Sequence, residues 1–268
     1  MTPRQTVVIL TGPDLQHRYV AKTLAEIPNV AAIIVTQQPD VPLLRRLARA
    51  RKRFGLVRML SRVTLKLTLR VIGETSRRKA DLARVLGEPE FPTHIKLFRT
   101  IGVNSTETQD LLRSLEPDIL CIYGTYVASD ATLSTTSQIA LNLHTGISPR
   151  YRGADCEFWP LHKREPNWVG ATVHTCTSDL DGGAIFGTAT ASLTADDGLG
   201  AVFGRCVVAG AALYKQVVQD MIKGRVINSA TQDLSTGREY RVAMRGWIAE
   251  LRVAWLIHRG LIRDHAAA

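Results

Sequence analysis

Near the start of the chain, two short apolar runs flank one helical segment, and this pattern constrains the fold more than any other feature. The runs are residues 6–10 and 30–35, and residues 16–26 between them have helical periodicity. A strand, a helix and a second strand in this order form a βαβ unit whose strands are parallel. We therefore predict an α/β protein with a Rossmann-like, mostly parallel sheet and helices on both faces.

The alternation of strands and helices continues along the chain. Further strands are predicted at residues 94–98, 119–123, 139–143, 171–175 and 184–190, and further helices at about residues 104–115, 156–162 and 199–223. The 268 residues, 45% of them hydrophobic, are enough for the core of one such domain. We assign residues 1–225 to one principal domain, with a helical insertion at 41–86, and residues 226–268 to a short helical appendage.

The appendage contains an apolar stripe. Residues 238–262 are predicted to form one helix, on which Trp247, Leu251 and Trp255 recur at helical spacing. We expect this stripe to dock on the principal domain or on a second subunit, which would make a homodimer.

Polar residues of a distinctive kind follow the predicted strand at 139–143. Asn142 and His144 lie two residues apart, so on an extended backbone their side chains point the same way. Asp181 lies between a later predicted strand and a Gly-Gly turn, where a carboxylate can reach an imidazole. Open α/β sheets bind ligands at the carboxyl ends of their strands. The three residues therefore form a candidate site.

The three residue types suit the transfer of an acyl group between nitrogen atoms. Such a reaction passes through a tetrahedral carbon with an oxyanion, which hydrogen-bond donors must stabilise, and the amide of Asn142 and a protonated His144 would supply two. The attacking amine loses a proton and the leaving nitrogen gains one. Asp181 is suited to hold the imidazole and to relay these protons.

The motifs N-x-H at 142–144, Pro149, R-Y-R-G at 150–153 and D-x-G-x-I at 181–185 resemble those of the folate-dependent formyltransferases. This family includes glycinamide ribonucleotide, methionyl-tRNA and sugar-nucleotide amine formyltransferases. The resemblance extends loosely over residues 7–226 and is specific only in these motifs. It implies that Asn142, His144 and Asp181 are the catalytic trio and that N10-formyltetrahydrofolate is the formyl donor.

The resemblance also implies where the donor binds. The pterin is expected against residues 123–126 and the loop before Asp181, and the residues concerned are Tyr123, Gly124, Thr125, Tyr126, Asp179 and Leu180. Two positions depart from the family pattern, because Gly146 stands where Ser is usual and Ala184 where Pro is frequent. Neither departure removes a member of the trio, so both bear on substrate contacts more than on catalysis.

Four residues between His144 and Asp181 are candidates for contacts with the amine acceptor. Arg150 and Arg152 carry guanidinium groups that bind phosphate oxygens bidentately, as a nucleotide-linked acceptor would require. Trp159 is suited to stack on a sugar or a base, with a place in the core as its alternative. Tyr151 is the fourth candidate, and shaping of the loop is the alternative for Tyr151 and Arg152.

Positive charge is concentrated in one block of the chain. Residues 45–79 contain thirteen Lys or Arg and one acidic residue, a local net charge of +12 that leaves −2 for the rest of a chain whose total is +10. Cationic residues recur every fourth position among apolar ones, which predicts an amphipathic helix: the cations are Arg58, Arg62, Lys66 and Arg70, and the apolar residues are Leu56, Leu60, Val63 and Leu67. Three interpretations stay open: a solvated face packed on the domain, an anionic membrane surface, and a nucleic-acid backbone.

The basic block favours one acceptor class over two others. Methionyl-tRNA formyltransferases are similar in having a basic insertion after the second strand, but they continue into a C-terminal β-barrel domain, for which the 45 residues after Lys223 are too few. Glycinamide ribonucleotide formyltransferases are compact and need no such insertion. We therefore expect a nucleotide-linked amino sugar for a surface polysaccharide, with tRNA or a purine precursor as alternatives in the same class. A catalytically inactive folate- or nucleotide-binding module is the alternative of another class.

Other features bear on location and cofactors. No run of about twenty uncharged apolar residues and no signal peptide are present, so we expect a cytoplasmic protein, with peripheral membrane attachment as a variant. The four cysteines lack a C-x-x-C pair, so neither a metal site nor a disulfide framework is expected. The loop Thr11-Gly-Pro-Asp14 is interpreted as an ordinary turn rather than a phosphate site, because no glycine-rich nucleotide motif surrounds it.

Overall fold

The computed structural model describes residues 5–37, 41–177, 181–225 and 228–267. Its strands are β1 (Val7–Thr11), β2 (Val30–Gln37), β3 (Lys96–Ile101), β4 (Ile119–Tyr123), β5 (Ile139–His144), β6 (Tyr151–Gly153), β7 (Gly170–Thr175), β8 (Ile185–Thr190) and β9 (Arg238–Tyr240). Its helices are α1 (Leu15–Leu24), α2 (Leu43–Phe54), α3 (Leu56–Val71), α4 (Glu74–Leu86), α5 (Thr106–Leu115), α6 (Asp130–Leu133), α7 (Phe158–Lys163), α8 (Leu199–Ile222), α9 (Trp247–His258) and α10 (Leu261–Ala266). Short 3-10 turns lie at Pro166–Trp168, Leu234–Thr236 and Val242–Met244.

Seven strands form one sheet in the order β3-β2-β1-β4-β5-β7-β8. The first five are parallel to their neighbours, whereas β7 is antiparallel to both β5 and β8. Apolar side chains of α1, α4 and α8 cover one face, and those of α5 and α6 cover the other. This arrangement confirms the predicted α/β class with a mostly parallel sheet. The strand order reverses between β1 and β4, so their carboxyl ends diverge and leave a crevice.

The helix α8 is the longest element and lies at the centre of the larger core. By length and composition it would be able to cross a membrane, but 56% of its most apolar stretch is buried inside the protein. Gly200 lets α4 approach closely, because a Cβ there would lie 2.0 Å from the carbonyl oxygen of Arg78. The apolar sequence of α8 therefore reflects its position in the core.

The basic block folds into α2, α3 and the first part of α4. The predicted amphipathic helix is present as α3, and much of its apolar side is exposed. Leu65 is the buried residue of α3, whereas Leu56, Leu60 and Leu67 are at least half exposed. The reason is geometric, since α3 contacts α2, α4 and α9 rather than the sheet.

The prediction of one helix over residues 238–262 is wrong. Its first three residues form β9, which pairs in parallel with β6, and the helix begins only at Trp247. Gly260, with a φ of 94°, then separates α9 from α10. The backbone groups of β9 form hydrogen bonds with β6, and these bonds would be lost if residues 238–240 were helical.

The predicted stripe of α9 does not dock on the principal domain, and its docking on a second subunit stays a prediction. Its buried apolar residues are Ala249, Val253 and Leu256, whereas Leu251 and Trp255 are more than half exposed. Val253 belongs to a second core that includes Trp159 of α7 and Tyr240 of β9. The appendage thus shares this core with residues of the principal domain.

Candidate active site

The predicted trio comes together at the carboxyl end of β5. Nδ1 of His144 lies 3.5 Å from Oδ2 of Asp181, and the side chains of both are more than nine-tenths buried. Asn142 lies two residues before His144 on the same strand and reaches the group through a histidine of β7. The residues are therefore neighbours in space, as their order in the sequence suggested, and their catalytic role stays a prediction.

The neighbour that sequence reasoning missed is His174. Its Nε2 is 3.2 Å from Nδ2 of Asn142 and 3.5 Å from Oδ1 of Asp181. The antiparallel register of β5 and β7 pairs Asn142 directly with His174, which places the two side chains on one face of the sheet. The available signal was the histidine within the strand predicted at residues 171–175, but its facing residue depends on a register that one strand does not reveal.

One backbone N–H and two histidine side chains surround the carboxylate of Asp181. The N–H of Gly153 donates to Oδ2 at 2.9 Å, and the two histidines lie on either side. Burial alone would raise the pKa of Asp181, but His144 and His174, which are positively charged when protonated, and the Gly153 hydrogen bond outweigh it and lower the pKa to about 2. Asp181 is therefore an ionised carboxylate at neutral pH.

The hydrogen bonds of the two histidines indicate where their protons lie. Nε2 of His144 is 3.1 Å from the carbonyl oxygen of Tyr151, and Nδ1 of His174 is 2.8 Å from that of Thr175. Because a carbonyl only accepts, each of these nitrogens carries a proton. Nδ1 of His144 faces Asp181, and Nε2 of His174 is left to accept from the Asn142 amide.

The protonated His144 expected from the sequence is not the resting form at neutral pH. Burial lowers the pKa of His144, the carboxylate of Asp181 opposes this effect, and the nearby His174 adds to the lowering. The net direction is downward. His144 therefore rests as a neutral imidazole whose free Nδ1 faces an ionised carboxylate.

A cavity of about 120 Å³ adjoins the cluster. Asn142, His174 and Asp181 line it together with Thr125 and Tyr126, whereas His144 lies behind Asp181. A second cavity of about 370 Å³ follows along the carboxyl ends of β1, β2 and β4 and shares Thr125 and Tyr126 with the first. The two together form a continuous candidate binding region at the sheet edge where α/β proteins bind ligands.

The residues predicted to contact the donor separate into three groups. Thr125 and Tyr126 line both cavities, and Gly124 lines the larger one. The side chain of Tyr123 is instead buried, with its ring edge-on to that of His17, so its assignment to the ligand contact is corrected. Asp179 and Leu180 lie outside the described residues.

Two of the residues predicted to contact the acceptor belong to the second core. Trp159 is 5% exposed, stacks on Tyr240 and donates its indole N–H to the carbonyl of Ala154. Tyr151 is 2% exposed, and its hydroxyl donates to Glu165. The prediction that these side chains contact the acceptor is corrected, because neither presents a surface to a ligand.

The two arginines are also engaged within the protein. The guanidinium of Arg150 forms a bidentate pair with Glu165 at 2.8 and 3.1 Å and lies over the ring of Trp168. Arg152 is 9% exposed and donates to the carbonyl of Leu234. Of the four predicted residues, only Arg150 keeps a substantial exposed fraction, 42% of its side chain.

Close packing explains the glycine at position 146. At Gly146, where the family usually has Ser, a Cβ would lie 2.4 Å from Cβ of Cys156 and 2.5 Å from Nε2 of His144. The loop after β1 leads into α1, where Asp14 is the N-cap and its N–H donates to Nδ1 of His17, and this loop lines the larger cavity. Among the described residues, no three His, Cys, Asp or Glu side chains are grouped to hold a metal ion.

A family model described as formyl transferase matches residues 5–218, which include the whole site and the seven-stranded sheet. The chain belongs to the formyl transferase family.

The curated relatives of this chain include a methionyl-tRNA formyltransferase. The methionyl-tRNA formyltransferase of Streptococcus uberis is 21% identical over 222 residues, which cover 82% of this chain and 60% of the relative. The match thus spans less than two thirds of that protein's length.

Two solved structures share the fold of this formyltransferase. Glycinamide ribonucleotide transformylase 1 from Symbiobacterium toebii superposes with a TM-score of 0.55 at 16% identity, covering 87% of this chain and 96% of that one. A sugar 3N-formyl transferase solved in the presence of dTDP and 5-N-formyl-THF gives a TM-score of 0.56 at 11% identity, covering 91% and 72%. At these identities the likeness establishes the fold.

We expect Asp181→Asn to move the titration of His144 in this formyltransferase to lower pH. The carboxylate opposes the effect of burial on the pKa of His144, so removing its charge leaves burial and His174 opposed only by the hydrogen bond to the Tyr151 carbonyl. NMR of the ring protons, assigned with His144→Gln, measures the change. Asp110→Asn on the exposed face of α5 is the control, and an upward or absent shift in Asp181→Asn would contradict the coupling.

Proposed function

We propose that this formyltransferase moves a formyl group from N10-formyltetrahydrofolate to the primary amine of a nucleotide-linked amino sugar used for a surface polysaccharide. The observation that carries the transfer chemistry is the meeting of Asn142, His174 and Asp181 at one cavity, with His144 directly behind the carboxylate. This group combines a hydrogen-bond donor, an ionised carboxylate and a neutral imidazole within a few ångströms, which acyl transfer between nitrogens requires.

The amide of Asn142 stabilises the oxyanion. One of its N–H bonds is directed to His174, and the second is left for the formyl oxygen as it gains charge. Removing a single donor of this kind typically lowers turnover by about a hundred- to a thousandfold. His174 fixes the orientation of the amide, because Nε2 accepts while Nδ1 is held by the carbonyl of Thr175.

Asp181 and His144 carry the proton from the amine nitrogen to the leaving nitrogen. As the amine nitrogen forms its bond to the formyl carbon, Asp181 draws a proton from it, and Nδ1 of His144, 3.5 Å away, shares that proton. The bond from the formyl carbon to the donor nitrogen then breaks, and the proton passes to that leaving nitrogen. The neutral resting form of His144 suits this role, since only a free Nδ1 can accept.

The two adjoining cavities support a two-substrate assignment. Thr125 and Tyr126 lie between them, and the Tyr126 ring, 68% exposed, is suited to stack on the pterin of the donor. The acceptor assignment draws on a fold neighbour solved with dTDP and a formylated folate. Arg150, in the loop after β5, is the predicted cation with the most exposed side chain, and it would bind a phosphate by exchanging its pair with Glu165.

A direct test offers the enzyme N10-formyltetrahydrofolate with a panel of amine acceptors and detects formylated products by mass spectrometry. The panel contains amino sugars linked to nucleotides, glycinamide ribonucleotide and methionyl-tRNA, with Asp181→Asn as the inactive control. A gain of one formyl group on an amino-sugar nucleotide supports the proposal. Product from the tRNA or the ribonucleotide alone would assign one of the alternative acceptors instead.

We also propose that the enzyme is cytoplasmic and attaches peripherally to an anionic membrane through α3 and α9. The helix α3 contains four cationic residues and no acidic one. Its Val57 and Val71 side chains are at least 80% exposed, and so is Ile248 of α9. Exposed apolar side chains among cations are typical of helices that lie in the headgroup region of a bilayer.

The two helices form one surface. The indole N–H of Trp247 donates to the carbonyl of Ser61, and an apolar groove of about 490 Å³ runs between the helices. Ile72 and Leu251 line this groove from opposite sides, and both are at least 60% exposed. The charge of α3 complements anionic lipid, and this favours a bilayer over a second copy of the chain as the occupant.

Replacing Arg58, Lys66 and Arg70 with Glu is expected to weaken binding to phosphatidylglycerol vesicles by at least roughly a hundredfold, since each lost cation is worth about 1 kcal/mol, 1.4 kcal/mol is tenfold, and the added carboxylates are repelled as well. Arg62 is left unchanged because it donates to the carbonyl of Val242. Lys22, Lys96 and Arg99, exposed on α1 and β3, give a control with the same change in charge. Turnover of a soluble acceptor should stay within about twofold, because the site lies on other elements.

Vesicle sedimentation and analytical ultracentrifugation distinguish the outcomes. Equal binding of the two reversed variants, or equal binding to zwitterionic and anionic vesicles, would contradict the membrane proposal. A dimer in vesicle-free solution that Ile248→Ser disrupts would make this face a subunit interface. Loss of RNA binding together with activity would indicate a nucleic-acid acceptor.

A further inference from the structure

Gln232 lies outside the family motifs, yet it contacts the backbone of the active-site turn. Its side chain is 9% exposed, and its Nε2 donates to the carbonyl oxygens of both Asp181 and Gly183. Both hydrogens of the amide are thus used on one turn. The segment before it is fixed as well, because Ala230 exchanges two backbone hydrogen bonds with Ile185 at the start of β8.

The turn that Gln232 contacts needs external support. Asp181 has a φ of 51°, in the left-handed region that residues with a side chain seldom adopt. Such a conformation persists only where the surroundings determine it, and it tends to occur at functional sites. Gly183 packs tightly against β7, since a Cβ there would lie 1.9 Å from the carbonyl oxygen of Thr175. Gln232 holds two carbonyls of the turn, and the N–H of Thr175 on β7 donates to the carbonyl of Ala184 that follows.

The direction of the Asp181 side chain follows from this backbone conformation. Its oxygens lie 2.9 Å from the Gly153 nitrogen and 3.5 Å from a ring nitrogen of each of two histidines. A rotation of the turn would change all three distances together. The acceptor oxygen of the Gln232 side chain is buried without a partner among the described residues, so the two donors are what fixes the amide.

We propose that Gln232 is a positioning residue, which clamps the turn at Asp181 and so holds the carboxylate against His144 and His174. The inference rests on the proposed catalytic role of Asp181. Gln232 itself lines neither of the two cavities of the candidate site. The appendage thereby contributes a part of the active site that the principal domain lacks.

The test compares Gln232→Met, which keeps the volume and removes both donors, with Gln232→Asn, which keeps the amide and shortens it by one methylene. Gln216→Met on the exposed face of α8 is the matched control. The first measurement is the NMR titration of the free enzyme's histidine rings, which requires no acceptor. We expect Gln232→Met to shift the titration of His144 downward, in the direction of Asp181→Asn, and Gln232→Asn to shift it less.

The second measurement is turnover per molecule that binds N10-formyltetrahydrofolate, with the acceptor that the panel identifies. A displaced carboxylate is expected to lower kcat by roughly ten- to a hundredfold, since misplacement by about 1 Å costs that much, while the acceptor KM changes little. If Gln232→Met does not fold, Gln232→Asn decides by the same two measurements.

The outcomes separate this inference from the proposed function. Full activity in Asp181→Asn would remove the catalytic role of Asp181, whatever Gln232 does. An inactive Asp181→Asn together with a wild-type kcat and His144 titration in Gln232→Met, or in Gln232→Asn where it is the variant that folds, would overturn the clamp. A lower melting temperature with both quantities unchanged would mean that Gln232 serves stability alone.

Discussion

Asp181→Asn, His174→Ala and Asn142→Ala are each expected to lower the turnover of formyl transfer by about a hundredfold or more. Asp181→Asn removes the charge that draws the amine proton, and Asn142→Ala removes the donor to the oxyanion. His174→Ala frees the Asn142 amide, because Nε2 no longer accepts from it. Steady-state rates with the acceptor identified by mass spectrometry measure these losses.

The losses are not expected to add. When two residues act together in catalysis, replacing the first one already removes most of their joint contribution to the rate. The double variant Asn142→Ala, His174→Ala should therefore be little slower than either single variant. Asp110→Asn on the exposed face of α5 is the control for Asp181→Asn. A variant with normal folate binding and normal turnover would remove its residue from the mechanism. The comparison of His144→Ala with His174→Ala also shows which imidazole the reaction depends on more.

Gly153→Ala is expected to lower the free energy of unfolding by about 1–3 kcal/mol and to reduce turnover as well. Gly153 has a φ of 89°, and a Cβ there would lie 2.3 Å from the carbonyl oxygen of Tyr240. Its N–H also donates to Asp181, so movement of β6 away from β9 would release the carboxylate. Denaturant unfolding and steady-state rates measure the two effects.

Gly246→Ala provides the comparison for this substitution. Gly246 has a negative φ of −124° and no atom within 4 Å of the added methyl, and it lies in the appendage that contains Tyr240. Its replacement should cost less than about 1 kcal/mol, mainly through the cap of α9, and should leave turnover unchanged. If Gly153→Ala and Gly246→Ala lowered the free energy of unfolding equally, the close contact between β6 and β9 would not be the cause of the loss at Gly153.

The order of strands and helices was predictable because it depends on local pattern. Continuous apolar runs such as those of β1 and β4 are buried on both faces of a parallel sheet, and their sequence alone indicates this environment. The helix predicted at about residues 104–115 is present as α5, whose N-cap Ser105 accepts from the N–H of Thr108. By contrast, the single helix at 238–262 failed, because β9 exists only through its partner β6.

The site was predictable to the extent that its residues follow strand ends. Asn142, His144 and Asp181 were found by spacing and by resemblance to a family, and the structure brings them together. The burial of Tyr151 and Trp159 was not predictable, since aromatic side chains suit a core and a ligand equally well. The neutral state of His144 depends on burial, which becomes known only when surrounding elements are in place.

The sequence by itself determined the α/β class, the position of the candidate site at the carboxyl end of β5, and the family, because these follow from periodicity and from short motifs. Only the tertiary structure decided that His174 faces Asn142 and that Gln232 holds the turn at Asp181. The first depends on the register between two strands, and the second joins residues 51 positions apart. Such contacts are set by the packing of distant segments against each other, which no local pattern records.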